Sequence, residues 1–501
     1  MTDYRSLTKF ETDMLASNGC TADSWETVKV VESFDAKRVV NVKLSGDIQL
    51  GSFAGHLVVD GLERPCGIYN ARLHNCTIGD NVLIDTVRSA IINYKIDDSV
   101  LIEDVFLLRA DENATFGNGV RVSVLNEAGG REVVLTNELN SQLAYLQAIY
   151  KHDEKFQNNL EEAILADIDK RKGTHGVIGS GAILRHCGQI KNVNIGENAE
   201  LVGAKELSNG SVLSCAADPT FIGAGVSAHD FIIAEGAHIN SDALLEKVYV
   251  GQAVKLGNGF SAENALFFAN CEGFNGEVNS IFAGPYSVTH HKSTLLIGSL
   301  FSFYNAGSGS NQSNHMYKLG PVHQGIFERG SKTGSFSYVM LESHIGAFST
   351  IIGKHLTNIN TPNLPFSYYT ESGGASHLTP AINLFSVGTA RDENKWPARD
   401  RRKADFKRDL IIFDIFSPYT IEKICQGRDM LSKAYEETPR ERKSIIYHGV
   451  HIPRLMLRKG AKYYGYAIDR YLIGKVMQKV ESAMESSSAW NEITKSLAAS
   501  D

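Results

Sequence analysis

Residues 78–102 read IGDNVLIDTVRSAIINYKIDDSVLI, a stretch that repeats its own pattern. The segment IGDNV at 78–82 returns as IDDSV at 96–100, and Ile84 returns as Ile102 after the same interval. That interval is the length of three hexapeptides, which make one triangular coil. In such a coil the aliphatic residue points inward and stacks on its copy one coil away, while Gly, Asn and Asp accept the left-handed corner conformation. The stretch therefore predicts a left-handed parallel β-helix built from hexapeptide repeats.

The same pattern recurs along much of the chain. Aliphatic residues followed by Gly or turn-forming residues stand at 116–120, 178–179, 195–199, 222–226, 239–243, 250–253, 256–259, 297–298, 345–347 and 352–353. The alternative is a β-sandwich with irregular turns, in which Ile-Gly pairs recur by chance. The two equal offsets and the number of matches favour the β-helix.

Two segments break the repeat and divide the chain. One carries apolar residues at helical spacing, including Leu139, Leu143 and Leu146 and then Leu160 and Ile164. The other begins at a basic connector, WPARDRRKADFKRD, and reads as mostly helical. We therefore predict an N-terminal region with a first β-helix block (1–136), a helical insertion (137–172), a main β-helix block with the active site (173–395) and a mostly helical C-terminal part (396–501).

Composition limits the classes of function. The chain has 501 residues and a net charge of −7, so charge does not favour a nucleic-acid partner. No run approaches the ~18 apolar residues of a membrane span, and the N-terminal MTDYRSLTKFETDM lacks the apolar core of a signal peptide. Seven scattered cysteines without CxxC spacing are typical of reduced thiols. We expect a cytoplasmic protein.

One polar segment interrupts the regular coils. Residues 283–325 read AGPYSVTHHKSTLLIGSLFSFYNAGSGSNQSNHMYKLGPVHQG and hold four histidines, three asparagines and two lysines. Flexible, Gly-rich polar segments are costly to order unless they line a site. We therefore expect the functional site in this segment.

The residue types in the segment suggest acid–base chemistry and binding of a polar, anionic ligand. His291 is the first candidate for a general base, because a neutral imidazole can take a proton from an attacking amine or hydroxyl; the alternative is that His290 and His291 form a solvated or structural pair. Asparagine amides can donate to sugar hydroxyls or to an oxyanion, or can cap β-helix corners instead. Lysine and arginine can bind phosphates or be ordinary surface cations.

The quoted motifs resemble two known groups. The segments His291-Lys292-Ser293, Ile297-Gly298 and NAGSG at 305–309 are similar to the site of sugar-phosphate and nucleotide-sugar acyltransferases of the left-handed β-helix superfamily. One example is the acetyltransferase half of the bifunctional N-acetylglucosamine-1-phosphate uridyltransferase. The whole chain resembles more closely a bacterial family catalogued as a domain of unknown function. That family carries nearly the same THHKSTLLIG…HQG stretch, the helical insert and NLPFSY over most of residues 1–430.

The resemblance implies a function and a set of site residues. It implies acyl transfer from acetyl-CoA or another acyl-CoA to a sugar phosphate or nucleotide sugar, with no metal, at a site between the subunits of a homotrimer. The implied catalytic residues are His291, Asn305 and His315. Substrate binding is assigned to His290, Lys292, Tyr304, Asn311, Asn314, Lys318 and His323. Coenzyme A binding is assigned to Gly307, Gly309, Arg329 and Lys332.

Three alternatives stay open. The protein could be a non-catalytic sensor or scaffold that binds a nucleotide sugar. It could be a metal enzyme like the γ-class carbonic anhydrases, because six histidines lie between residues 290 and 355. The basic, tyrosine-rich C-terminal helix could make a weak membrane-surface contact or could pack on the β-helix.

Overall fold

The computed structural model of the chain describes residues 3–314, 320 and 323–486. It confirms the predicted fold class: the protein is mainly β, a parallel β-solenoid of about 19 turns with helices inserted and appended. Two compact units make up the chain. Unit 1 comprises Met1–Ile326, Thr333–Glu342 and Arg399–Ile411, and unit 2 comprises Phe327–Lys332, Ser343–Ala398 and Ile412–Asp501.

The strand register of unit 1 explains the sequence repeat. Ile78 pairs with Ile96, and Ile84 pairs with Ile102, in parallel neighbouring strands. All four side chains are buried, so each aliphatic stacks on its copy in the interior of the solenoid. The offset that repeats in the sequence is therefore one coil. In the main block the coil is usually one residue shorter, as in the pairing of Ser227 with Leu244.

The corners of the solenoid are made by residues that tolerate left-handed backbone. One corner column consists of Asn192, Asn209, Asp230, Lys247 and Asn264, whose φ values lie between 49° and 55°. Asn and Asp reach this region at lower cost than other residues with a Cβ atom. Side chains of the column also bond to each other, as in the 2.6 Å hydrogen bond from Asn209 Nδ2 to Asp230 Oδ1. Corner asparagines of this kind are structural.

The strands of unit 1 are almost all parallel. The first block has Arg5–Ser6, Thr21–Ala22, Val28–Val30, Val39–Leu50, Gly67–Ile78, Leu83–Ile96 and Leu101–Arg109, with an antiparallel hairpin His56–Val59 and Leu62–Pro65 and a short helix α1, Lys9–Ser17. The main block has Gly176–Ile178, Ile183–Arg185, Gln189–Ile195, Glu200–Val202, Glu206–Val212, Phe221–Ile222, Ser227–Ile233, His238–Ile239, Leu244–Val250, Lys255–Gly257, Ser261–Phe267, Glu272–Phe274, Glu277–Asn279, Phe282–Ala283, Val288–Thr289, Leu295–Ile297, Ser299–Phe301, Asn305–Ala306, Asn311–Gln312 and Tyr338–Val339. The strands Gly325–Phe327 and Lys332–Thr333 lie where the chain passes between the units.

The insertion between the two blocks is helical, as its periodicity predicts. It contains the helices α2, Ser141–Ile149, and α3, Glu154–Arg171. A hairpin, Arg121–Ser123 with Glu132–Val134, precedes it in the part that the sequence assigned to the first block. The apolar side chains of α2 pack on the outer face of the solenoid in a buried cluster that includes Leu139, Tyr249 and Phe268. Those of α3, Ile164 and Ile168, pack with Val134 in a separate cluster. The Tyr249 hydroxyl donates to the Leu139 carbonyl oxygen at 2.6 Å, which satisfies the polar end of a buried ring. The domain boundaries drawn from the sequence stay a prediction.

The basic connector forms a strap along unit 1. We use this name for Arg399–Ile411. The strap lies on a corner column of Asp218, Glu235, Gln252 and Asn270, which recur at the spacing of one coil and so occupy equivalent places on successive coils. Each of the four bonds to the strap: their side-chain oxygens or amide nitrogens contact Lys403 N, the Arg408 guanidinium, Phe406 O and Arg401 N at 2.6 to 2.9 Å.

The strap cations are therefore used in folding. Arg402 and Arg408 are mostly buried, and they form ion pairs with Asp400 and Glu235 at 2.8 and 2.6 Å. The strap carboxylate Asp409 accepts from the Ser141 amide at 2.7 Å and from the Ala269 amide at 2.8 Å. Hence Arg401, Arg402 and Arg408 of the basic connector are paired with carboxylates of unit 1.

The strap should loosen in acid. Burial would raise the pKa of Asp400, but hydrogen bonds from Arg402 and Asn270 outweigh it and hold that pKa well below its ordinary value. The pKa of Glu235 is also lowered, because its bonds with Arg408 outweigh burial. A carboxylate with a depressed folded-state pKa contributes stability above its unfolded pKa, and that contribution is lost as the pH falls through the folded pKa.

We therefore expect the hydrogen-bonded amides of residues 401–404 and Arg408 to be protected from hydrogen exchange at neutral pH. Their protection, corrected for the intrinsic exchange rate, should decrease below about pH 4. Asp400→Asn should reduce protection at pH 7 and flatten this pH dependence. Protection that is the same at pH 7 and pH 3 would contradict the prediction.

Unit 2 combines further short strands with the C-terminal helices. Its strands are His344–Ile345, Thr350–Ile352, Lys354–His355, Asn360–Thr361, Tyr368–Ser372, Ala375–Thr379, Ser444–Tyr447 and Val450–Pro453, and its helices are α4, Val387–Lys395, α5, Pro418–Glu437, and α6, Arg454–Ser486. Helix α5 begins with Ser417 as N-cap and Pro418 in the first turn. In its core Tyr464 is fully buried and donates to the Pro365 carbonyl oxygen at 2.6 Å. Of the helices in the described ranges, none is long and apolar enough to cross a membrane.

Candidate functional site

A polar cleft of about 620 Å³ opens along one corner of unit 1. Its wall contains one residue from each of four successive coils, because Ser261 pairs with Glu277, Glu277 with Leu295 and Leu295 with Asn311. The neighbouring corner residues complete the lining: Asn258, Gly259, Asn275, Gly276, Lys292, Ser293 and Thr294. The repeat thus stacks hydroxyl, amide and carboxylate groups in one groove.

The cleft lining offers hydrogen-bond donors and acceptors to a polar ligand. Amide and hydroxyl groups can both donate to and accept from the hydroxyls of a sugar. Lys292 is exposed and brings one cation to the lining, and Glu277 brings one carboxylate. Two of the residues predicted to bind substrate, Lys292 and Asn311, lie in this cleft.

The sequence analysis missed most of the lining. Asn258-Gly259 returns farther along the chain as Asn275-Gly276, and both asparagines have a φ of 57°. These pairs are ordinary corner signals when read singly. Their spacing equals one coil of the main block, so the repeat could have shown that they lie side by side.

A carboxylate–histidine pair adjoins the cleft. His290 Nε2 is hydrogen bonded to Glu272, and Glu272 in turn pairs with Arg401 of the strap. The His290 ring also contacts the Phe274 ring, with centroids 5.7 Å apart. Asn275, a cleft residue, donates its Nδ2 to the His290 carbonyl oxygen at 3.3 Å. The pair is therefore held from three sides, next to the cleft wall.

The charge state of Glu272 follows from these contacts. Burial by itself would raise the pKa of Glu272, but the hydrogen bond with His290 and the charge of Arg401 outweigh it and lower that pKa below its ordinary value. Glu272 is thus ionised at neutral pH. An ionised carboxylate on one ring nitrogen fixes the imidazole tautomer and stabilises the imidazolium that forms when the other nitrogen takes a proton.

His291, the base predicted from the sequence, has a different environment. Its side chain is exposed, and its ring meets the His290 ring edge-on with centroids 6.4 Å apart. The strand Val288–Thr289 ends just before the two histidines, and neighbouring residues of an extended chain point to opposite sides. Hence His290, and not His291, faces Glu272.

Several residues of the predicted site point into the solenoid or form hydrogen bonds within it. Tyr304 is almost fully buried, burial raises the pKa of its hydroxyl above the ordinary value, and it bonds to Gln312 and Thr333. The Gly307 N–H donates to the Thr333 carbonyl oxygen at 3.0 Å, so it is not available to an oxyanion. Gly309 lies under the Phe336 ring. Asn305, in contrast to these three residues, is exposed and lies one coil beyond its partner Val288.

The remaining predicted residues of unit 1 also have structural partners. Asn314 is buried, and its Oδ1 accepts from the Leu341 amide at 2.9 Å. The His323 side chain is fully buried, with its Nε2 2.7 Å from Glu127 Oε2. This pair ties the inserted segment to the coil. His315 and Lys318 lie outside the described residues.

The two cations predicted to bind coenzyme A belong to unit 2 and are engaged there. Lys332 forms an ion pair with Asp392. Arg329 donates to the Ile412 carbonyl oxygen, and burial lowers the pKa of its guanidinium to about 10. Neither side chain is presented as a free phosphate ligand.

The described histidines are not grouped around a common metal position. Residues 3–314, 320 and 323–486 contain no group of three or more His, Cys, Asp or Glu side chains placed to hold one. In unit 2, His344 bonds to Glu328 at 3.0 Å, and His355 is buried against Ser376 at 2.9 Å. All seven cysteines are free thiols, and five of them are buried.

The fold and the site together define a class of protein. It is a parallel β-solenoid with hexapeptide-type coils and a polar cleft at one corner. Within that class, the chain belongs to the family described as a domain of unknown function (DUF4954), whose model matches residues 4–435. The family membership predicted from the sequence is confirmed.

Comparison with known proteins adds two similarities. An uncharacterized protein of Treponema pallidum (strain Nichols) is 28% identical over 456 residues, covering 86% of this chain. The chain spans 62% of the length of that relative. A solved structure described as "Activity and Crystal Structure of Arabidopsis UDP-N-acetylglucosamine acyltransferase" is 10% identical with a TM-score of 0.13, over 83% of this chain and 86% of that one. A similarity at that level supports no statement about activity.

Proposed function

We propose that the protein transfers an acyl group from a coenzyme A thioester, such as acetyl-CoA, to a sugar phosphate or nucleotide sugar bound in the corner cleft. The observation that carries the proposal is the Glu272–His290 pair beside a cleft lined with amides, hydroxyls and one lysine. Acyl transfer requires a base at the acceptor and polar groups that hold it in place. The motif resemblance of residues 291–309 to hexapeptide acyltransferases agrees with this chemistry.

In the proposed reaction His290 is the general base. His290 donates Nε2–H to Glu272, so its Nδ1 can take the proton of the acceptor hydroxyl or amine as that group attacks the thioester carbonyl carbon. The tetrahedral intermediate collapses with cleavage of the C–S bond. The imidazolium returns the proton to the leaving thiolate, which gives the acylated sugar and the free thiol of coenzyme A. Asn305 remains our candidate for the oxyanion, because its amide is exposed one coil from the histidines.

The cleft residues divide between the two parts of the acceptor. We assign the phosphate to Lys292 and the sugar hydroxyls to Asn258, Ser261, Asn275 and Asn311. Tyr304, Gly307, Gly309, Asn314, His323, Arg329 and Lys332 are left out, because their described contacts are internal. The homotrimer expected from the resemblance stays part of the proposal, and mass measurement in solution tests it.

The direct test is thiol release. The purified protein is given acetyl-CoA with each member of a panel of sugar phosphates, UDP-sugars and GDP-sugars, and product masses are recorded. We expect thiol release with one class of acceptor and a product heavier by one acyl group. Thermal stabilisation by a nucleotide sugar without thiol release from any acyl-CoA would overturn the proposal and favour the binding-only alternative.

Glu272 is a positioning residue, and its neutral variant tests that role. Glu272→Gln keeps the size of the side chain but loses the charge that stabilises the His290 imidazolium. We expect kcat to fall by about 10- to 100-fold with KM nearly unchanged, because the cleft is untouched. Glu246→Gln, an exposed glutamate on the same unit, is the matched control and should keep full kcat. A KM effect without a kcat effect would contradict the role.

A further inference from the structure

The distal half of α6 differs from the proximal half. Arg454–Ser486 has 33 residues, which is about 50 Å of helix. In the proximal half Leu457, Tyr464, Ala467 and Ile468 are buried in unit 2. Every side chain from residue 472 to residue 482 is exposed. The helix therefore continues well beyond the part that its own unit packs.

The exposed half is amphipathic. We call its apolar residues the distal stripe: Leu472, Ile473, Val476, Met477 and Val480, whose exposed fractions lie between 45% and 63%. At 100° per residue they occupy an arc of roughly 140° on one side of the helix. Lys475 and Lys479 border the arc on one side, and Arg470 borders it on the other.

An exposed apolar stripe of this kind is normally covered by a binding partner. Isolated helices of this length are marginal in water, and their stability normally comes from packing of an apolar face. Five large apolar side chains exposed along one face also exceed the scattered exposed residues that any surface carries. In the described residues no other element covers them, since all five stay exposed.

We infer that the distal stripe lies on the surface of a bilayer that contains anionic lipids. Charge complementarity points to this occupant, because the three residues that border the stripe, Arg470, Lys475 and Lys479, are all basic. The cations lie at the edges of the stripe, where their stems can follow the apolar face while their charged ends reach lipid phosphates. The helix is not long and apolar enough to cross a membrane. We therefore place it parallel to the membrane plane, at the boundary between lipid and water.

A second copy of the helix fits the stripe less well. A coiled-coil seam needs apolar positions repeated over three or four heptads. Among the residues whose side chains the structure describes, the distal stripe spans 472–480, and Gly474, a weak helix former, lies within that span. This inference does not depend on the proposed acyl transfer, and it places the membrane contact suggested by the sequence in the distal half of α6.

Vesicle flotation of the full chain tests the inference. One set of vesicles is phosphatidylcholine alone, and the other is equal parts of phosphatidylcholine and phosphatidylglycerol. We expect flotation only with the anionic vesicles and its loss at high salt. Ile473→Asp combined with Val476→Asp should reduce binding by about tenfold or more, and Lys475→Glu with Lys479→Glu should also weaken it.

Controls separate binding from folding. All four substituted positions are exposed, so the melting temperature should not change. Val58→Asp with Leu62→Asp changes two equally exposed apolar residues in the hairpin of unit 1 and should leave flotation intact. Equal flotation with neutral vesicles, or full binding by the stripe variant, would overturn the inference. So would a lower oligomer mass in the stripe variant without a change in flotation, which would assign the stripe to a second copy.

Discussion

Replacing His290 with alanine should lower kcat for acyl transfer by about 100-fold or more, whereas the same change at His291 should leave kcat within about threefold. The two residues are adjacent and identical in type, so a difference between them reports position alone. His290 is bonded to the ionised Glu272, which is fixed by Arg401. His291 is exposed, and its described ring contact is with His290.

The comparison is carried out on steady-state rates with the acceptor identified by thiol release. Circular dichroism and the melting temperature of both variants should match those of the unchanged protein, because both rings lie near the surface. Comparable loss in the two variants would place the histidines in substrate binding as a pair. Loss confined to His291→Ala would restore the assignment made from the sequence and remove the Glu272–His290 pair from the mechanism.

The residues themselves explain why the sequence predicted the coils but not the correct histidine. Ile78 and Ile96 are buried copies of each other, and burial of an aliphatic at a fixed spacing is visible in the sequence. The choice between His290 and His291 depends on which one faces Glu272, a residue of the preceding coil. A shift of one residue in register exchanges the inward and outward sides of a strand. A single sequence whose coils differ in length does not fix that register.

Residues 283–325 are polar for two different reasons, which the sequence alone does not distinguish. Lys292 and Asn311 line the cleft, as expected of a functional segment. Tyr304 and Gln312 instead bond to each other inside the solenoid, where Ser310 Oγ also lies 2.6 Å from Thr333 Oγ1. A buried polar network needs the same residue types as a binding site, so composition alone does not separate them.

The strap was missed for a related reason. Its partners Asp218, Glu235, Gln252 and Asn270 share no motif and look like ordinary surface residues. Their common feature is a spacing of one coil, which has meaning only after the coil length of the main block is known. The arginines of the strap were correctly seen as a cluster, but the strap's partners lie far back in the chain, as in the pairs of Asn270 with Asp400 and of Asp218 with Lys403. Long-range pairs of this kind leave no local pattern.

The second change with a large expected effect is a substitution at Gly298, which should lower the stability of the fold. The φ of Gly298 is +54°, in the left-handed region, and a Cβ atom added there would overlap the Cβ atom of His323. His323 is fully buried and bonded to Glu127, so its side chain has little room to move. Gly298→Ala should therefore combine the cost of left-handed backbone with a clash. We expect the free energy of unfolding to fall by about 2–4 kcal/mol.

Gly259→Ala is the matched control, because Gly259 has a φ of +71° in the same solenoid but no atom within 4 Å of an added Cβ. That variant should cost only about 1 kcal/mol, from the backbone conformation. Denaturant unfolding of both variants gives the difference, and hydrogen exchange at Gly325, whose amide bonds to the Gly298 carbonyl oxygen at 2.9 Å, shows where the loss is located. Equal losses in the two variants would mean that the His323 contact gives way easily. A larger loss at Gly298 would show that the buried His323 side chain does not yield to the added Cβ atom.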